Sequence, residues 1–143
     1  MSALDTAKKR LYREDLTLAV VKNGEVLFET DSHGISGFLR AIEQLGVKLE
    51  GASVADSVAG KAIALLCAYA GVREVYAEVL SKKAKAVFEE NGILCEWREL
   101  VDNILDSSHS GVCPFEKAAA DISEPEKAYL AFKALQHSPE DCR

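Results

Sequence analysis

The chain is poor in everything that marks a nucleic-acid binder, a secreted protein or a membrane protein. Its 17 Lys and Arg residues are outnumbered by 23 Asp and Glu in 143 residues, a formal net charge of −6. Phosphate backbones and acidic membrane surfaces reward an excess of Lys and Arg, so neither is an expected partner. Lys8-Lys9-Arg10 and Lys82-Lys83 are short runs beside carboxylates. Met1 to Arg13 lacks the apolar run of a signal peptide. The nearest approach to a membrane span, Ala62 to Ala70, is too short to cross a bilayer. Cys67, Cys95, Cys113 and Cys142 are scattered, with no CxxC pair. Without a secretion signal they are expected as reduced thiols in a cytoplasmic protein. No two strong ligands stand at a recognised metal spacing, so neither metal nor cofactor is expected. Repeats, low-complexity tracts and interdomain linkers are missing too.

What remains is ordinary globular material, 48% apolar and 28% charged. The length predicts one domain over residues 1–143, with 137–143 as a frayed tail. Asp5 to Glu14 reads as a charged helix. Leu16 to Val21 and Val26 to Thr30 are strand-like runs flanking Asn23-Gly24, which predicts a hairpin with a type I′ turn. Ser36 to Leu45 carries Phe38, Leu39, Ile42 and Leu45 at helical spacing, and Gly46 ends it. Val54 to Ala70 is apolar nearly all round and reads as a buried helix, with Ser53 and Asp56 as a capping box and Gly71 as the residue after its end. Gly60 then falls inside that helix, where a close backbone neighbour or a ligand would explain it. Val75 to Leu80, Ser81 to Glu90 and Ile93 to Trp97 predict strand, helix and strand, a right-handed crossover between parallel strands. Trp97 to Val101 leads into a helical turn near Asn103 to Leu105. Phe115 to Asp121 and Glu124 to Gln136 read as helices, the second opened by Ser123.

Ser107 to Lys117 is the most informative stretch. A polar loop ends in Cys113-Pro114, and proline suits the first helical position. Cys113 then stands at a helix start, where the positive end of the helix favours thiolate. His109 is within reach as its base, with Glu116 or Asp106 to orient the imidazole. The plainer alternatives are a buried apolar cysteine and a solvated histidine.

Three segments resemble a small prokaryotic family of unknown function in the cytidine-deaminase-like superfamily. They are the hairpin Leu16 to Phe28, the signature Gly51-Ala52-Ser53-Val54-Ala55-Asp56-Ser57-Val58-Ala59-Gly60-Lys61-Ala62, and Ser110-Gly111-Val112-Cys113-Pro114-Phe115-Glu116-Lys117. The resemblance implies an α/β fold, a three-layer α/β/α sandwich on a mixed sheet. It implies no activity. Zinc deaminases use His-x-Glu at one helix start and Pro-Cys-x-x-Cys at another. Neither motif stands at the helix starts expected here, Ser53 and Ser81, so zinc-dependent deamination is excluded.

Two functions are consistent with these residues. In the first, a zinc-free domain binds a small anionic or nucleotide-like ligand between two helix N-termini. Ser53, Asp56, Ser57, Gly60 and Lys61 would line one side, and Ser107, Ser108 and Gly111 the other, with Glu78 reaching in from its strand. Lys61 and amides near Cys113 would take the anion. The plainer reading makes Asp56 a helix cap, Lys61 a snorkelling cation and Glu78 a solvated strand residue. In the second, Cys113, His109 and Glu116 form the catalytic set of a hydrolase or transferase. Cys67 and Cys95 read as core. A strand lying at a sheet edge makes a homodimer an expectation.

Overall fold

The computed structural model describes residues 2–32, 35–105 and 111–136. Helix α1 (Ala3–Arg13) opens with a reciprocal capping box between Ser2 and Asp5. It places Leu4, Ala7 and Leu11 on one stripe, at the three- and four-residue spacing of a helix face. The hairpin follows, with β1 (Leu18–Lys22) and β2 (Glu25–Thr30) antiparallel. Asn23 and Gly24 both have positive φ, at 52° and 77°, as a type I′ turn demands. Helix α2 (Ile35–Leu45) ends at Gly46, whose φ is +52°.

The segment expected as one long helix is two elements. Strand β3 (Ser53–Ala59) is followed by α3 (Lys61–Ala70), with Gly60 as the N-cap between them. Ser53 and Asp56 therefore cap nothing. Ser57 and Lys61 share no helix face, because only Lys61 is helical. Small and apolar residues buried on both sides read alike in a central strand and in a buried helix. The helix does end at Gly71, left-handed at φ 75°.

Strand β4 (Glu74–Ser81), α4 (Lys82–Glu90) and β5 (Leu94–Val101) complete a second crossover. β5 runs on through the residues expected to leave it. Near Asn103 to Leu105 there is no helical turn; Leu105 bridges to Val112 instead. Helices α5 (Pro114–Ala119) and α6 (Pro125–Leu135) close the described chain. Glu124, not Ser123, is the N-cap of α6.

The sheet order is β2-β1-β3-β4-β5. β3, β4 and β5 are parallel, and β1 is antiparallel to both neighbours. Strand alternation splits the core between two faces. Val21, Ala55 and Tyr76 meet α1 on one face. Val20, Val54, Val75 and Ala77 meet the larger helical layer on the other. The fold class is α/β, a mixed five-stranded sheet flanked by helices. Among the described residues, no helix is long and apolar enough to cross a membrane.

Ser81 ends β4 and caps α4, its Oγ accepting from the Ala84 amide at 3.0 Å in a buried position. Ser81→Ala is expected to cost about 1 kcal/mol. Urea unfolding should show a lower midpoint with an unchanged slope.

Candidate functional site

A cavity of about 480 Å³ opens at the carboxyl end of β3, beside the start of α3. Strand alternation aims Asp56 at the larger helical layer, on the face shared by Val54 and by its cross-strand partner Leu18. Asp56 is 6% exposed. Its Oδ1 accepts from the Val58 amide at 3.1 Å. Burial pushes the Asp56 carboxyl up to about 7, against the lowering effect of backbone donors at Val58 and Ser57. Near neutral pH this group can therefore both donate and accept. Next to it Ser57 lines the wall, its amide held by the Thr17 carbonyl at 2.9 Å.

The floor is built by a second carboxylate. Glu116, in the first turn of α5, takes the Lys61 amide at 2.8 Å and the Ala62 amide at 2.7 Å. These are orphan donors of the α3 N-terminus, where a negative charge is also favoured by the helix field. Burial raises the Glu116 carboxyl above its ordinary range despite those two donors. Gly60 makes the contact possible: a Cβ there would overlap the Glu116 carboxyl group. The φ of Gly60 is −102°, which any residue tolerates, so its role is space. The neighbour at Gly60 is neither the backbone nor the ligand expected there but the Glu116 side chain.

Asp15 and Asp31 also line the cavity, making four carboxyl groups with Asp56 and Glu116, alongside apolar walls that include Ile63 and Phe115. Among the described residues no Lys or Arg lines it. This charge is opposite to what an anionic ligand requires. The helix starts do not supply the missing positive site. Glu116 fills that of α3, and α5 has only six residues.

The expected site residues divide accordingly. Asp56, Ser57, Gly60, Cys113 and Glu116 share the cavity. Ser53 lies at the opposite end of β3, bonded to Glu74. Lys61 points away, its Nζ donating to the Ala120 carbonyl at 3.1 Å. Glu78 pairs with Arg98 at 2.7 Å in a neighbouring depression. Gly111 is not among the lining residues. Ser107, Ser108 and His109 lie outside the described residues, as do Asp106, Cys142 and the expected tail.

Cys113 is the N-cap of α5, ahead of Pro114, but its side chain caps nothing. It is 1% exposed and is not a free thiol. The expected thiolate nucleophile is corrected on both grounds. Both Glu116 oxygens accept from α3 amides, and its expected partner His109 lies outside the described residues. Of the other described cysteines, both free, Cys67 is buried and Cys95 is partly buried. Asp15 and Asp31 escaped the sequence reading. Asp15 adopts φ 53°, a left-handed conformation that Asp tolerates after a helix and that only the coordinates show. Among the described residues no group of three or more His, Cys, Asp or Glu could hold a metal ion.

A mixed five-stranded sheet with helices on both faces, and a cavity at the carboxyl end of a parallel strand, define an α/β domain. The chain belongs to the DUF1893 family, described as a domain of unknown function, whose model matches residues 6–135. A crystal structure of a DUF1893 family protein (TM1506) from Thermotoga maritima is similar at TM-score 0.85 and 26% identity, covering 92% of this chain and 88% of that one. Weaker likenesses reach the dCMP deaminase from the cyanophage S-TIM5, at TM-score 0.49 and 18% identity over 69% of this chain and 94% of that one. Another reaches Acinetobacter baumannii RibD, at TM-score 0.47 and 18% identity over 95% of this chain and 38% of that one. No curated protein matches the sequence.

Asp56 leaves a pH signature. A carboxyl raised to about 7 when folded, from an ordinary value of 3.8, binds its proton more tightly in the native state. Its contribution is full below the ordinary value and is lost as pH rises through about 7. The loss is at most about 4 kcal/mol, at 1.36 kcal/mol per pKa unit. The stability difference between Asp56→Asn and the native chain should therefore shift in favour of Asp56→Asn between pH 4 and 8. A difference independent of pH in denaturation curves would refute the raised carboxyl.

Gly60 and Glu116 should be coupled. Glu116→Ala strands two amide donors, at a cost of about 3 kcal/mol. Gly60→Ala should destabilise the native chain by displacing the same carboxylate, yet be nearly neutral in the Glu116→Ala background. A double-mutant cycle measures this, and additive costs would count against the contact.

Proposed function

We propose that this domain binds a small neutral or cationic polar molecule in the cavity at the end of β3, with Asp56 as the principal recognition group. The observation that carries the reading is the conjunction of a buried carboxyl near neutrality with three further carboxyl groups and, among the described residues, no Lys or Arg on the same walls. In its protonated form this carboxyl presents a donor and an acceptor side by side. That pair matches an amide or amidine edge, such as the hydrogen-bonding edge of a nucleobase. Ser57 adds a hydroxyl, and Ile63 and Phe115 supply the apolar surface that a flat ring needs. A phosphate or free carboxylate would meet like charge throughout. The nucleotide-like part of the sequence expectation is kept as a nucleobase or nucleoside, and the anionic part is dropped.

Thermal-shift and calorimetric titration with nucleobases, nucleosides and small amidines, against nucleotides and inorganic phosphate, tests this. Saturation at 100-fold the Kd adds about 2.7 kcal/mol to stability. Uncharged or cationic compounds should raise the Tm, and Asp56→Ala should abolish the shift while remaining folded. Absence of any shift, or a preference for phosphorylated compounds, would sink the reading.

A further inference from the structure

We propose that β5 is a homodimer interface, on which two copies of this chain pair antiparallel about a two-fold axis at Trp97, joining their sheets edge to edge. β5 is an end strand of the sheet, and among the described residues it pairs with β4 alone. Among the described residues, this unpaired eight-residue edge offers a row of backbone donors and acceptors. Its middle carries none of the proline or bulge devices that blunt such edges, and it exposes apolar surface. Leu94 is 68% exposed and Trp97 37%.

The backbone decides which groups are available. The Leu94 amide donates to the Arg73 carbonyl, on the β4 side. Peptide groups alternate along a strand, so the even-numbered residues of β5 bond towards β4 and Cys95, Trp97 and Glu99 face outward. An antiparallel partner must match these outward residues with each other. Pairing Trp97 with the partner's Trp97 does so, and brings Cys95 opposite the partner's Glu99.

The same register is complementary in charge and in apolar surface. It sets Glu96 opposite the partner's Arg98, twice by symmetry, and Leu94 opposite the partner's Leu100. Glu96 and Arg98 both lie on the α1 face. Glu96 already meets Lys8 of α1 at 3.2 Å, and Arg98 meets Glu78 at 2.7 Å. The dimer would link these pairs into two alternating rows of charge, Lys8-Glu96 continuing into the partner's Arg98-Glu78. Opposite charges facing each other across strands stabilise pairing, and like charges oppose it. On the other face the two Trp97 rings meet at the axis, each with Lys85 of its own α4 nearby, 5.6 Å from the ring centre. A self-matching patch of this kind is what a two-fold interface requires.

Sedimentation or light scattering across a concentration series tests the native chain. A mass of twice the chain, with reversible dissociation on dilution, is expected. Arg98→Glu, which opposes carboxylates across the axis, should give monomer. So should Glu99→Pro, which removes an outward amide and leaves the β4 ladder intact. Far-UV circular dichroism should report both as folded. Cross-linking fixes the register. An antiparallel hydrogen-bonded pair has Cα atoms about 5.5 Å apart, within disulfide reach. Trp97→Cys should therefore form a disulfide dimer under mild oxidation, whereas Glu96→Cys, which faces the partner's Arg98, should not. A native chain that stays monomeric throughout overturns the proposal. So does a dimer that survives both Arg98→Glu and Glu99→Pro, or a Trp97→Cys chain that does not cross-link.

Discussion

The carboxylate of Glu116 at the start of α3 is the contact around which this site is organised. It joins α5 to the start of α3, across 55 residues of sequence. Two amides that no helical carbonyl can reach are satisfied there, in a buried place where leaving them bare would be costly. The contact needs a residue without a side chain at the strand-to-helix junction, and Gly60 stands there. It also carries α5 against α3, so Cys113 and Phe115 become walls of the cavity.

This arrangement sets the electrostatics of the whole region. An open helix N-terminus draws anions, and a helix start filled by the protein's own carboxylate does not. The cavity disfavours ionisation of the buried Asp56. Burial is the dominant cause, and it holds Asp56 near the midpoint of its titration at neutral pH. A core position that could have held Leu or Val instead carries a group that costs stability when ionised.

Local signals were legible wherever the physics was local. Asn23-Gly24 demanded positive φ twice, and only a hairpin turn supplies that. Ser81 announced α4 through its own hydroxyl, and Gly71 announced the end of α3. The crossover from β4 to β5 followed from apolar runs of strand length on either side of a helical period. The segment from Ser53 to Ala70 defeated the same approach because its apolar residues leave no polar face to give a period. A central strand and a buried helix are then chemically alike, and the break is marked by Gly60 alone. That one error moved Ser53 and Lys61 into a site they do not share. It also hid the first of the two crossovers.

The sequence by itself determined the fold class, the hairpin and most helix boundaries, because these depend on composition, turn geometry and capping within a few residues. Only the tertiary structure decided that Glu116 is a cap for a distant helix, that Lys61 turns away, and that Asp15 and Asp31 join Asp56 in an acidic cavity. Those facts depend on which strand lies beside which. Side-chain charge acts through space, and the order β2-β1-β3-β4-β5 brings together carboxyl groups that are far apart along the chain.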